Sequence, residues 1–307
     1  MAEGESFTRK ILRVDITMRA GDFGGHGNQK SIQGLATRAK IEKTGPPDYS
    51  KAQVEICNLP YEDMEQLTTL AFKPMASAKN LIEILAGTEE DDLSVAFRGE
   101  ITAASADFSG GIGDVWMKFD AIDGYYGAIT AQGPSAIQGS QPASQFIEQQ
   151  AKAMGYGFRN LGVETSLLNA IFNGSPIEQA RSAARQIGAE LYLDDGVLTL
   201  SPVGGVQEEG NAVFLSAETG LLGYPKITNE GVELEALYNP AFKLGSFIEL
   251  ESVVPKCSGV WRIIKLSHEL NAFCKDGGKW MSKIVGFLPD EEPKNNVVQG
   301  TVTKIKI

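Results

Sequence analysis

Two histidines, His26 and His268, are the side chains of this sequence best suited to acid–base work near neutral pH. A general base or an activated nucleophile needs such a group held against its partner. His268 falls in an alternating stretch that reads as a strand, which gives it a structural role. His26 sits in Gly24-Gly25-His26-Gly27, whose glycines point to a contact loop. The run Gly111-Ile112-Gly113-Asp114-Val115-Trp116 begins like a dinucleotide fingerprint but leads toward a strand. A phosphate cradle requires a helix N-terminus, so this reads as a hairpin turn. A glycosidase requires two facing carboxylates, and the 39 acidic residues single out no such pair. The run Glu89-Glu90-Asp91-Asp92 could hold a cation but reads as a solvated turn. Cys57, Cys257 and Cys274 lie far apart, without zinc-ligand spacing, and read as reduced thiols. The sequence therefore predicts no catalytic set, no metal and no cofactor.

Composition narrows the classes further. A chain of 307 residues suggests two or three domains, and 42% hydrophobic residues supply material for proper cores. The net charge of -11 leaves no basic footprint for nucleic acid, although it would suit a conduit to which DNA must not adhere. No apolar run is long enough for a membrane-spanning helix. The start, Met-Ala-Glu-Gly-Glu-Ser, has neither the basic nor the apolar region of a secretory signal.

The elements that would position these residues are mostly strands. Ile11 to Met18, Ser31 to Glu42, Ala52 to Asn58, Asn80 to Ala86, Leu93 to Ala103 and Val115 to Ile122 read as extended runs. Pro60, followed by Glu62 and Asp63, starts one helix with Met64, Leu67 and Ala71 on its apolar stripe. A linker over Gly133 to Gln141 precedes a helix from Pro142 to Met154, stopped by Gly155. Ser175, Pro176 and Glu178 form a capping box for another helix ending at Gly188. Asp194-Asp195-Gly196 joins two short strands as a hairpin. From Gly220 to Pro289 the chain again alternates in short runs. The predicted class is mainly β with an α/β insert: residues 1–131 as a β-barrel carrying one helix, 132–202 as a small α/β module, 203–290 as a second antiparallel barrel, and 291–307 as a tail.

Acidic stripes stand out on the strands. Glu233 and Glu235 alternate with Val232, Leu234 and Ala236, and Glu249 and Glu251 alternate with Ile248 and Leu250. If the apolar sets face the core, these glutamates share an outer face; like charges on neighbouring strands would cost stability, so the stripes read either as a functional acidic surface or as an ordinary solvated face. Beyond Pro289, Val298, Val302 and Ile305 are apolar for a free end, and Pro293 provides a stiff lead-in. This segment reads either as a strand added to a partner or as a frayed terminus.

An ordered series of motifs resembles the baseplate hub proteins of long-tailed bacteriophages and related contractile injection machines. The most specific are Leu237-Tyr238-Asn239-Pro240 with Leu244-Gly245, and Trp261-Arg262-Ile263-Ile264 ahead of His268 and Trp280. In the first half, Val54-Glu55-Ile56-Cys57-Asn58-Leu59, Leu81 to Gly87, Phe97 to Ile101 and Phe119 to Gly124 are similar to a tube-like hub barrel. The resemblance implies two tube-like barrels per subunit and a homotrimeric ring of pseudo-sixfold shape. Such a ring would join the tail tube to the central spike and form part of the DNA channel. Its partners would be the spike, a tail tube or distal tail protein, other baseplate proteins and the tape measure protein. The protein would be made in the host cytoplasm and act in the virion tail, with no specific nucleic-acid binding and no membrane insertion. On this reading Glu233, Glu235, Glu249 and Glu251, with Glu55 and Glu83 from the first barrel, line the channel. The rival readings are a receptor- or carbohydrate-binding tail module and a cell-wall hydrolase. The first would favour an exposed aromatic platform, whereas Trp116, Trp261 and Trp280 all fall in strand patterns.

Overall fold

The computed structural model describes residues 8–19, 23, 27–71, 80–109, 114–203, 212–275 and 277–288. The fold is mainly β with an α/β module, as the alternation predicts, and it divides into two compact units. Unit one comprises residues 1–41, 51–122 and 269–280; unit two comprises 42–50, 123–268 and 281–307.

In unit one, β1 (Lys10–Thr17) pairs with β2 (Gln29–Gln33) on one side. The first residues of β3 (Thr37–Thr44) belong here, followed by β4 (Lys51–Cys57) and α1 (Tyr61–Ala71). Then come β5 (Leu81–Thr88), β6 (Ser94–Asp107) and β7 (Trp116–Ile122). The antiparallel order is β4-β7-β6-β5-β1-β2. Period-2 alternation sends Leu12, Val14, Ile16, Val54, Ile56, Ile82, Ile84, Phe97, Met117 and Phe119 inward, where all are buried. Met64 and Leu67 of α1 are buried too, while Asp63 in its first turn receives the Lys30 ammonium at 2.9 Å. The extended run expected over Ser31 to Glu42 is divided at Gly34, whose φ of 83° is the left-handed conformation of a turn. Cys57, opposite in parity to Val54 and Ile56 on β4, is nonetheless buried.

Unit two opens with the last residues of β3 and the turn Gly45-Pro46-Pro47-Asp48. The short helix α2 (Tyr125–Ile129), not anticipated, leads to β8 (Ser135–Ala136) and β9 (Ser140–Pro142) inside the predicted linker. The module continues with α3 (Ala143–Met154), β10 (Gly157–Asn160), β11 (Ser166–Leu168), β12 (Ile171–Phe172), α4 (Pro176–Gln186), β13 (Ala189–Asp194) and β14 (Val197–Pro202). Gly155 stops α3 in a left-handed C-cap, and both halves of the Ser175–Glu178 capping box are present on α4. Asp195 and Gly196 both take positive φ, at 52° and 76°, as the hairpin turn demands. The two helices and the sheet β10-β14-β13 enclose a core around Phe146, Ile147, Phe172, Ile177 and Leu200.

The last third contributes β15 (Val213–Leu215), β16 (Leu221–Thr228), β17 (Gly231–Leu237), β18 (Phe247–Leu250), β19 (Gly259–Ala272) and β20 (Trp280–Phe287). Val232, Leu234, Ile248, Leu250, Trp261, Ile263 and Ile284 form its core. Two features depart from the predicted antiparallel barrels. First, β15 runs parallel to β18. Second, among the described residues neither strand run closes on itself: β2 and β16 are terminal. The register of β16 with β17 also breaks between Leu222 and Lys226, where Pro225 has no N–H to offer a ladder.

Candidate functional site

The predicted acidic residues lie where alternation places them, away from the core, but most do not stand alone. On β17, Glu233 binds the Lys283 ammonium of β20 at 2.6 Å and faces Lys226 of β16 in register. The Lys283 hydrogen bond holds the Glu233 carboxyl below the usual carboxylate range. Glu235 pairs in register with Lys283. In unit one, Glu55 of β4 faces Lys118 in register, with Arg38 and Lys118 within 4 Å and the Arg38 guanidinium over Trp116. Glu83 of β5 lies between Asp15 of β1 and Arg98 of β6. Glu249 and Glu251 differ. Glu249 faces Val260 of β19 and Phe214 of β15, and no ion pair reaches either glutamate among the described residues. The two stripes are not neighbours either, because β20 and β19 stand between β17 and β18. The like-charge cost expected between them does not arise; the outer face of β16, β17 and β20 is a lattice of both signs.

A buried polar cluster within unit two is the larger electrostatic feature. Lys43, on β3, shares the inward parity of that strand with Thr37, Ala39 and Ile41. Its ammonium is buried and meets Asp194 and Asp195 of the β13–β14 hairpin at 2.8 Å each. Burial alone would push the Lys43 pKa down, but the two carboxylates outweigh it and hold the group above its ordinary value. The hairpin is held a second time where the Gly196 N–H donates to Asp123 Oδ2 at 3.2 Å. Nearby, Arg262 of β19 donates to Glu190 Oε2 and to the Tyr192 hydroxyl at 2.8 Å each. Burial, and then the hydrogen bond to Glu190, push the Tyr192 phenol upward.

His268 sits on the inward face of β19, with its Nδ1 at 2.8 Å from Ser282 Oγ and its ring edge-on to Tyr238 at 5.0 Å. Burial, then the Lys43 charge, push its pKa down to about 3, so the ring is neutral at physiological pH. Burial pushes Tyr238 up to about 12. These groups lock strands together and offer no open position for a reacting atom. Sequence reasoning put His268 in a strand, where it lies, and missed the Lys43 cluster. The signal was present, because a lysine in phase with Ala39 and Ile41 is a charge on the core face.

The remaining candidates are simply placed. Glu89 to Asp92 form an exposed turn closed by Thr88 Oγ1 donating to Asp91 Oδ2 at 2.7 Å, and no cluster of metal-ligating side chains occurs among the described residues. The three cysteines are free thiols. Trp116 is half-buried beneath Arg38, and the buried Trp261 donates its indole N–H to the Cys257 carbonyl at 2.8 Å. His26, Gly111 to Gly113 and the tail residues Val298, Val302 and Ile305 lie outside the described residues.

The family model for baseplate hub gp41 matches residues 11–275. Among solved structures, the chain is similar to the 43 kDa tail protein of prophage MuSo2 from Shewanella oneidensis. The two share 11% identity over 92% of this chain and 97% of that one, with a TM-score of 0.59. It is also similar to a tail protein of Neisseria meningitidis MC58, at 10% identity over 89% and 95% of the two chains and a TM-score of 0.61. An Escherichia coli component of the type VI secretion system aligns at 11% identity over 84% and 74%, with a TM-score of 0.54. That protein is itself described as structurally similar to the T4 bacteriophage tail proteins gp27 and gp5. No curated protein matches the chain.

Proposed function

We propose, from the premise that this chain belongs to the baseplate hub gp41 family and is a structural protein of the phage tail, that three copies close into a ring between tail tube and spike. The observation that carries the ring is that β2 and β16 are terminal strands among the described residues. Unpaired edges are a liability that a protein covers, and closed point-group assembly covers them without open-ended growth. On this reading the segments 1–131 and 203–290 act as the two tube-like halves of each subunit, with 132–202 as the α/β module. The spike binds one side of the ring and a tail tube or distal tail protein the other, with further baseplate proteins around it and the tape measure protein within reach. Native mass spectrometry of the chain, alone and co-expressed with its spike, tests this: multiples of three are expected, and a stable monomer or dimer under both conditions overturns it.

The acidic channel follows as part of the same proposal, in a narrower form. DNA binds cationic surfaces through counterion release, so a wall of unneutralised carboxylates lets it pass. Glu249 and Glu251 carry this role best, since Glu55, Glu83, Glu233 and Glu235 each have a cation opposite or in contact. Replacing Glu249 and Glu251 with Lys should leave assembly intact and slow DNA ejection, more so at low salt. Ejection at the normal rate would overturn the assignment.

The same reading makes the chain a non-enzyme without specific nucleic-acid binding or membrane insertion, made in the host cytoplasm and carried in the virion tail. No helix among the described residues is long and apolar enough to cross a membrane. Reproducible muropeptide release from peptidoglycan by the purified protein would refute the non-enzyme reading.

A further inference from the structure

A cleft of about 800 Å³ opens in unit two between the Thr44–Asp48 turn, α4, β13 and β19. Ala189, Glu190, Leu191 and Tyr192 all line it. Side chains of a strand alternate between faces, so four successive residues on one wall mean that the cleft runs along the edge of β13. That strand is terminal in its sheet, with β14 on its inner side. The opposite wall is β19, where burial alternates through Trp261 and Ile263 and then resumes at Leu266, one residue out of phase. This bulge turns Ile264 and Lys265 toward the cleft. Pro46, Leu244 and Ile263 make the lining apolar.

Three cations line it alongside Asp48, Glu178 and Glu190; Lys265 pairs with Glu230 at 2.7 Å, Glu190 with Arg262, and Glu178 caps its own helix, which leaves the two arginines. Arg181 donates to the carbonyl oxygens of Pro47 and Asp48 and stacks over Tyr49; Arg185 donates to Ser182 Oγ. Neither meets a carboxylate among the described residues, in a chain whose net charge is -11. An open strand edge with an apolar lining and unneutralised guanidiniums fits an extended segment that carries both apolar side chains and carboxylates.

We infer that the occupant is the C-terminal segment, residues 289–307, of a neighbouring copy of this chain. The segment supplies Asp290, Glu291 and Glu292 for the two arginines, and Val298, Val302 and Ile305 for the apolar lining. β-Branched residues and threonine predominate in its last part, which favours an added strand. Its point of departure also fits. Gly286 of β20 packs so closely on Trp261 that a Cβ there would lie 2.9 Å from the Trp261 Cβ, so the described chain ends beside the strand that walls its own cleft. Entry into that cleft would require an immediate reversal through Pro289 and Pro293, which favour extended backbone. Fully extended, residues 289–307 span at most about 65 Å, a long lead for a docking segment.

The inference rests on the proposed ring but is separable from it. The test uses a chain ending at Leu288 and a labelled synthetic peptide of residues 289–307, with binding followed by fluorescence anisotropy. The peptide should bind the shortened chain and bind an Arg181→Glu/Arg185→Glu version about tenfold or more weakly. A peptide in which Asp290, Glu291 and Glu292 are replaced by Lys should regain affinity for the double variant, which a merely misfolded variant would not allow. In native mass spectrometry, the shortened chain should lose self-assembly that the full chain shows. Absent binding, or equal affinity for both proteins, overturns the cleft assignment. A shortened chain that still forms trimers would do the same while leaving the ring intact. A full-length chain that never self-associates would sink the ring and the exchange between copies together.

Discussion

Replacing Lys43 with Met should be among the most damaging single changes in the α/β half of this protein. The Lys43 ammonium lies 2.8 Å from both Asp194 and Asp195, and the three side chains are only 4%, 15% and 20% exposed. Removing one member of a buried ion pair costs about 3–5 kcal/mol, because the partner charge stays behind without compensation. Here two carboxylates would stay behind. For a unit of this size the loss corresponds to a fall in melting temperature of roughly 6–20 °C. Adding Asp194→Asn and Asp195→Asn should restore most of the stability, since neither charge of the broken pair would remain and Asp123 would still hold the Gly196 N–H. Urea unfolding followed by tryptophan fluorescence provides the measurement, with the buried Trp261 reporting on the same unit. The pH dependence carries a definite sign. The folded pKa of Lys43 lies above its ordinary value of 10.5, so its contribution is fully present below 10.5 and fades only at higher pH. The gap between wild type and Lys43→Met should therefore be flat from pH 6 to 9. A single variant that loses less than about 1 kcal/mol, or a triple variant as unstable as the single one, would refute the uncompensated-charge argument.

His268 should impose a pH dependence of the opposite kind. With a folded pKa near 3 against 6.5 unfolded, it favours the folded state fully above 6.5 and destabilises by about 1.4 kcal/mol per pH unit as pH falls toward 3. Unfolding free energies of wild type and His268→Gln from pH 7 to 4 should converge at that rate, and parallel curves would show that the imidazole is not buried as described. Gly231→Ala should cost at least about 2 kcal/mol, because φ is 130° and the added methyl would sit 2.1 Å from the Gly286 carbonyl oxygen. Gly155→Ala, also at positive φ but with nothing within 4 Å, should cost only about 1–2 kcal/mol, and equal losses at the two sites in thermal melts would contradict the crowding argument.

The strands, the hairpin at Asp195-Gly196 and the capped helix α4 were legible because each depends on residues close in sequence: period-2 alternation, positive φ, a Ser–Glu box. What escaped depends on which strand lies beside which. Glu233 and Glu235 appear in the sequence as half of an acidic stripe, yet register brings Lys283 to both and Lys226 to the first, from strands distant in sequence. The second half of the stripe keeps its exposed charge because its neighbours present Val260 and Phe214 instead. The bulge at Ile264 and Lys265 was equally hidden, since an alternation that slips by one residue still reads as alternation on either side of the slip. These nonlocal facts change the functional argument. Net charge counts every carboxylate alike, whereas a passing polyanion responds to charge left uncompensated within about a Debye length, roughly 8–10 Å at ordinary salt. A Glu–Lys lattice is nearly neutral at that distance, and an isolated pair of glutamates is not. On the proposed channel reading, repulsion of DNA would therefore concentrate at Glu249 and Glu251, and the four cation-matched glutamates would act first as polar seams between strands.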